Sequence, residues 1–248
     1  MGRILLGTSG FAYPHWRRLL YPEGLGRERW LARYAEVFTT VELNATFYRL
    51  PSKQVVDRWR SETPRGFVFA CKGSRFLTHV RRLLEAEVGI ERFFAAVNPL
   101  GPKLGPVLWQ LPPRMAPDAG RLAAFLEHLP LDVRHVFEFR DPRWYSDEVS
   151  RVLARRCAAF CEHDLVDKPP PRLTAPFRYL RFHGTSARHA GRYGRSALRP
   201  FARSLRRWTS AGGDAFAYFN NDAAGNALFD ALDLSALVGE ELPLEVHA

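Results

Sequence analysis

Short apolar runs, many of them closed at the C-terminal end by a polar side chain, alternate along this chain with segments of helical spacing. The runs fall at residues 3–8, 40–44, 66–72, 106–111, 134–140, 158–163, 177–183 and 215–220. Between or after them lie helical patterns at residues 28–38, 52–61, 89–97, from 117 to about 128, 146–156, 199–211 and 225–234. The helical assignment rests on apolar residues recurring every three or four positions, as at Trp30, Leu31, Tyr34 and Val37. Ser52 and Ser146 stand where N-caps belong. Only the sixth connection lacks a helical pattern, because Lys168-Pro-Pro-Pro-Arg172 breaks regular structure. Eight strands in alternation with helices over 248 residues predict an α/β fold, a single (β/α)8 TIM-type barrel spanning residues 1–248, with the sixth crossover helix missing or vestigial.

That architecture gives the polar strand ends a common location. Barrels of this kind carry their sites at the C-terminal face, on strand ends and the loops that follow. In residues 40–48, Val41 and Leu43 face one way and Glu42 and Asn44 the other, with Phe47 and Tyr48 directly after. Lys72, Gln110, Glu138 with Arg140, Arg181 with His183, and Asn220 close other strands. These side chains are expected to line one concavity. The loop from Gly184 to Arg195 is glycine-rich and basic, so its backbone N–H groups with Arg188 and Arg192 predict a phosphate or sulfate site. Residues 75–82 add a second basic patch, for which a solvated face is an equal explanation. Asp222 reads either as the N-cap of the last helix or as a site residue.

Composition narrows the setting. The chain is 46% hydrophobic and 13% aromatic, enough for a full core, and no run approaches the roughly 18–20 apolar residues of a membrane span. The N-terminus has neither a secretory apolar run nor the hydroxyl residue that myristoylation needs at position 6, which is Leu6. Three scattered cysteines, Cys71, Cys157 and Cys161, do not make a disulfide framework, and the cytoplasm is the expected compartment. The net charge is +10, and lysine appears only at positions 53, 72, 103 and 168, so arginine supplies nearly all of it. An excess of this size draws anions, small or polymeric. A GC-rich genome would leave the same arginine bias.

Several motifs together resemble one family. Gly7-Thr8-Ser9-Gly10-Phe11 with Tyr13 and Trp16, and Glu42-x-Asn44-x-Thr46-Phe47-Tyr48, are similar to the YecE-like proteins, domain of unknown function 72. So are Gln110-Leu-Pro-Pro113, Glu138-Phe-Arg140 with Trp144, Arg181-x-His183-Gly184 and Tyr218-Phe-Asn-Asn-Asp222. The likeness runs from residue 7 to about 234, with Phe11 where the family more often has Trp. It implies a TIM-type barrel and no reaction. Barrels of this shape also look like sugar isomerases and apurinic endonucleases, but fold analogy is weak ground for function.

Two functional classes follow. One is an enzyme, a hydrolase or isomerase, acting on an anionic substrate that is phosphorylated or derived from nucleic acid. Glu42 or Glu138 is then the base, Lys72, His183 and Arg181 hold negative charge, and Asn44, Tyr48, Gln110, Arg140, Trp144, Arg188, Arg192, Asn220 and Asp222 contact substrate. The other is a non-catalytic nucleic-acid-binding protein with an arginine-rich face for phosphates and Phe11, Tyr13, Trp16, Phe47, Tyr48 and Trp144 for stacking. Without a Gly-x-Gly-x-x-Gly or Walker-type loop, no nucleotide cofactor is expected. A divalent metal on His163, His183, Glu42, Glu138 and Asp222 stays open, although no His-x-His or HExxH spacing supports it. Glu42 and Glu138 also allow a purely structural ion network with Lys72, Arg140 and Arg181. Two like charges across one mouth favour the functional reading, in which Glu42→Gln costs little stability.

Overall fold

The structure, a computed structural model, describes residues 1–167, 172–186 and 189–239. Its centre is eight strands: β1 (Ile4–Thr8), β2 (Thr40–Leu43), β3 (Val68–Lys72), β4 (Leu104–Gln110), β5 (His135–Glu138), β6 (Ala159–His163), β7 (Phe177–Phe182) and β8 (Asp214–Phe219). They pair in the order β1-β8-β7-β6-β5-β4-β3-β2, every pair parallel, and a parallel bridge between Ser9 and Glu42 brings the two ends together. The helices are α1 (Trp30–Ala35), α2 (Ala45–Tyr48), α3 (Lys53–Ser61), α4 (Glu87–Val97), α5 (Ala119–Glu127), α6 (Asp147–Arg155), α7 (Gly194–Ser210) and α8 (Asn226–Val238). This is a TIM-type α/β barrel. Between β6 and β7 no helix occurs among the described residues; residues 168–171 of the proline run lie outside them.

Side-chain alternation divides the interior into two cores. Val41, Leu43, Phe69, Trp109 and Phe137 point outward and join the helices in the larger apolar cluster. Leu5, Val68, Ala70, Leu108, Val136, Ala159, Tyr179, Phe216 and Tyr218 fill the barrel itself. A residue two positions beyond an inward one also faces inward. Glu138 thus stands above Val136, Arg181 above Tyr179 and Asn220 above Tyr218, so the parity that packs the barrel aims polar side chains at its mouth.

The β1–β2 seam is held differently from the others. The Tyr34 hydroxyl accepts from Thr8 N–H at 3.0 Å and donates to Thr40 O at 3.1 Å, so a buried phenol replaces a ladder hydrogen bond. Gly7 permits the approach, because a Cβ there would lie 2.2 Å from Thr40 O. Three helix starts carry their side-chain caps: Ser52 Oγ, Asp118 Oδ1 and Ser146 Oγ accept from Val55, Arg121 and Val149 N–H at 3.4, 2.8 and 3.2 Å.

Two helix starts depart from the sequence reading. α7 begins at Gly194, not at residue 199, and runs through Pro200. Its first amides are capped from α8: the buried Asp230 carboxylate accepts from Tyr193 and Gly194 N–H, each at 3.0 Å. α8 starts at Asn226 behind Gly225, whose φ of +81° is the left-handed conformation glycine tolerates. Asp222 is not the N-cap residue of α8, which is Gly225; its carboxylate takes His15 at 2.7 Å and Trp16 Nε1–H at 2.9 Å. Burial raises its pKa, and the backbone of Ala227 in the first turn of α8 is among the groups that act against the rise.

Candidate functional site

Two tiers of polar side chains fill the barrel mouth. The lower tier is a closed ion network around Arg181 at the end of β7. Its Nη2 donates to Glu42 Oε1 at 2.7 Å and its Nη1 to Glu138 Oε2 at 2.5 Å. Ser9 Oγ donates to Glu42 Oε1 in a short hydrogen bond, and Tyr179 Oη donates to Oε2 at 2.6 Å. Arg140 Nε closes the far side on Glu138 Oε1. Glu42 and Glu138 are 0% exposed and Arg181 2%. Burial pushes the Glu42 carboxyl up, but Arg181 and the hydroxyls of Ser9 and Tyr179 outweigh it and hold the group below its ordinary value. Burial likewise opposes ionisation of Glu138, yet Arg181 and Arg140 hold it well below. Two carboxylates and two guanidiniums balance. The two like charges do not face each other across an open mouth, as the sequence reading had them; Arg181 stands between, and the case for Glu42→Gln being nearly free of cost falls with it.

His183 belongs to this tier. It is 1% exposed, with Nδ1 3.2 Å from Asp164 Oδ1 and Nε2 3.2 Å from Arg181 Nη1. Burial lowers its pKa, and Asp164 only partly offsets this, so the ring is neutral at pH 7. It forms part of the wall of a pocket of about 400 Å³ beside Arg140, Asp164 and Gly184.

The upper tier is a second pocket of about 370 Å³, and its charges are of one sign. Lys72, Arg75 and Arg140 line it with His79 and His189, the amides Asn44, Gln110 and Asn220, and the rings of Phe47 and Tyr48. No carboxylate lines it. The Lys72 ammonium lies 4.3 Å from the centroid of Phe47, and among the described residues neither Lys72 nor Arg75 has an acidic partner. Burial, helped by Arg181 and Arg140 and opposed by Glu138 and Glu42, lowers the Lys72 pKa to about 8. Burial also lowers His79, to about 4, with Lys72 and the arginines adding to it. Asn44 donates Nδ2–H to Ser9 O at 3.3 Å and keeps its buried Oδ1 without a hydrogen-bond partner.

Local structure places these groups. Thr46 Oγ1, in the α2 turn, donates to Leu43 O at 2.9 Å and to Lys72 O at 2.7 Å, which pins that turn to the end of β3 and sets Tyr48 at the rim, 78% exposed. A single π-helical turn, Phe76–Val80, closed by Arg81 N–H on Phe76 O at 2.8 Å, carries His79 against the Phe47 ring.

Three residues read from sequence as substrate contacts lie elsewhere. Trp144 is buried, stacked on Phe139 and donating to Met115 O at 2.8 Å. Asp222 is held by His15 and Trp16, as described. Arg192 turns to α8, 2.8 Å from Asp233 and 3.5 Å from Asp230. The anion expected on the 184–195 loop has an internal counterpart, since the Asp230 carboxylate already occupies the backbone donors at Tyr193 and Gly194. Arg188 lies outside the described residues. Three network members went unread: Ser9, Tyr179 and Asp164. Tyr179 shares the inward parity of Arg181, and that spacing was the available signal. Asp164 follows the last residue of β6, but nothing local points it at His183.

Among the described residues no group of three or more His, Cys, Asp or Glu side chains is placed to hold a metal ion, and no helix is long and apolar enough to cross a membrane.

Comparison with known proteins agrees with the fold. The family described as "Protein of unknown function DUF72" matches residues 5–247. The UPF0759 protein YecE of Escherichia coli strain K12 is 32% identical over 144 residues, 58% of this chain and 50% of that protein, so the match spans about half the relative's length. The UPF0759 protein YunF of Bacillus subtilis strain 168 is 27% identical over 242 residues, covering 84% of this chain and 86% of YunF. The crystal structure of a DUF72 family protein from Thermotoga maritima MSB8 superposes with a TM-score of 0.85 at 26% identity, over 95% of this chain and 99% of the other.

Proposed function

The chain belongs to the DUF72 family of proteins of unknown function, and from the chemistry of its barrel mouth we propose that it is an enzyme acting on a small anionic, phosphorylated substrate. The observation that carries this reading is the upper pocket: among the described residues Lys72 and Arg75 have no acidic partner, and they stand beside Arg140 with no carboxylate in the lining. Like charges gathered in a partly buried pocket raise one another's energy, and an anion relieves that repulsion. In this reading Lys72, Arg75 and Arg140 hold the anionic group, and Asn44, Gln110 and Asn220 orient the polar remainder. Phe47 and Tyr48 cover an apolar face. Glu42 and Glu138 hold Arg181 and Arg140 in position, because neither reaches the pocket. His183 does the same from the side.

A second reading has its own observation. Arg195, Arg199, Arg203, Arg206 and Arg207 are all exposed on α7, which contains no acidic residue, and none of the five has an ion-pair partner among the described residues. Such a stripe suits a polyanion. One set of titrations separates the two. Inorganic phosphate should bind the wild type and bind Arg75→Gln more weakly, and equal affinities would remove the pocket from the reading. A single-stranded oligonucleotide whose affinity falls steeply with salt, and no phosphate binding, would favour the helix face.

A further inference from the structure

Lysine is rare here, appearing four times among 36 basic residues. Two of those lysines have plain structural roles. Lys53 pairs with Asp57 one turn along α3 at 2.6 Å. The Lys103 ammonium donates to Arg60 O, Thr63 O and Thr63 Oγ1 at 2.7, 2.6 and 2.8 Å. Lys168 lies outside the described residues. Among the described residues Lys72 has neither kind of partner, and it sits in a pocket where arginine already supplies positive charge at positions 75 and 140. Fixed positive charge is thus already present in that pocket without it. What lysine adds is an amine that can lose its proton and act as a nucleophile, which guanidinium cannot do.

We infer that Lys72 forms a covalent imine with the carbonyl carbon of a small phosphorylated aldehyde or ketone whose phosphate rests on Arg75 and Arg140. This rests on the reading of the pocket as an anion site. The neutral amine attacks the carbonyl carbon, and the C=O π pair moves to oxygen. A proton passes from nitrogen to that oxygen, and water leaves as the C=N bond forms. Counted from the ammonium, one carbonyl and one –NH3⁺ give one iminium and one water, with charge and atoms conserved and no oxidant or reductant required. The iminium then draws electrons from a bond next to the former carbonyl carbon, so the reaction class is C–H or C–C cleavage at that position. The surroundings fit the amine. Its tip lies against the Phe47 face, and the groups around it are Arg75, Arg140, Arg181 and His79, with Glu42 and Glu138 below. The pKa of about 8 leaves roughly two-hundredfold more free amine at pH 7 than a lysine of ordinary pKa of about 10.4. The volume of about 370 Å³ suits a sugar-phosphate-sized molecule rather than a polymer.

Reductive trapping tests this on the intact protein. Wild type is incubated with glycolaldehyde phosphate and cyanoborohydride, and the adduct is located by peptide mass spectrometry. The adduct at Lys72 should form on the order of tenfold faster than at Lys53, half-maximally near pH 8, and inorganic phosphate should slow it. Labelling of Lys72 no faster than of Lys53 overturns the imine, while phosphate titration of the same protein still judges the anion site by itself. Fast labelling of Lys72 by unphosphorylated glycolaldehyde, unaffected by phosphate, keeps the imine and removes the anion site. Lys72→Arg separates charge from nucleophile: phosphate affinity should stay within a few-fold of wild type, and the fast adduct should vanish. Continued fast trapping in Lys72→Arg assigns the adduct to another amine and overturns the proposal.

Discussion

Two sets of cations share one barrel mouth, and they differ in what neutralises them. In the lower tier, Arg181 and Arg140 meet Glu42 and Glu138 at hydrogen-bond distance, and every carboxylate oxygen has a donor. In the upper tier, Lys72 and Arg75 share a pocket lined by amides and rings, and among the described residues neither has an acidic partner. The lower set is part of the architecture, because desolvated charges are tolerated only when paired, and breaking the pair exposes the full cost. The upper set is unfinished electrostatically, and a ligand completes it. Equal charge on two neighbouring groups therefore carries opposite meaning.

The largest effect should come from the lower tier. Arg181→Met leaves Glu42 and Glu138 buried without their shared partner, and a loss of about 3–5 kcal/mol in chemical denaturation is expected. That is a large part of the roughly 5–15 kcal/mol a domain has. A loss below about 1 kcal/mol would erase the distinction between the tiers.

Acid should reveal the same tier more gently. Glu42 and Glu138 titrate below their unfolded values, so their contribution is fully present above the unfolded pKa of about 4.3 and is lost as pH falls through the lower folded values. The denaturation midpoint of wild type should drop as pH falls below about 4.3. Arg181→Met, lacking the partner that depresses both groups, should drop less over the same range. Parallel curves would mean that other carboxylates carry the acid sensitivity.

The smallest change in stability should come from the upper tier. Lys72→Met removes a charge that its surroundings disfavour, so stability at pH 7 should change by no more than about 0.5 kcal/mol, or rise. Phosphate affinity should nevertheless fall tenfold or more, the worth of one charge-assisted hydrogen bond of about 1.5–3 kcal/mol. The sign with pH also differs from the acids. The unfolded chain binds the Lys72 proton more tightly, so wild-type stability gains as pH rises from about 8 towards 10.5, and Lys72→Met should lack that gain. A destabilisation near that of Arg181→Met would place Lys72 in the network.

Much of the mouth was legible in the sequence. Alternation put Glu42 and Asn44 on one face and Val41 and Leu43 on the other, and the barrel core is divided that way. Ser52 and Ser146 were readable as caps because capping is decided within three residues. The Gly184–Arg195 loop shows the converse. Its glycines and arginines advertise an anion site, and only the fold reveals that Asp230, more than thirty residues on, takes the N–H groups of Tyr193 and Gly194 at its C-terminal end. Trp144 shows the same limit: an aromatic after a strand end reads equally as a platform for ligand or a plug in the core, and its packing on Phe139 decides.

The sequence by itself determined the eight-fold alternation, the inward parity of each strand and hence the set of polar residues delivered to one end of the barrel. Those depend on periods of two and 3.6 residues, which are local. Only the tertiary structure decided which of these residues neutralise one another. Arg181 meets Glu42 across 139 positions and Glu138 across 43, while Lys72, delivered to the same mouth by the same rule, pairs with no carboxylate among the described residues. A charge pair is set by a few ångströms of separation in space, and barrel closure brings strands together without regard to their distance along the chain.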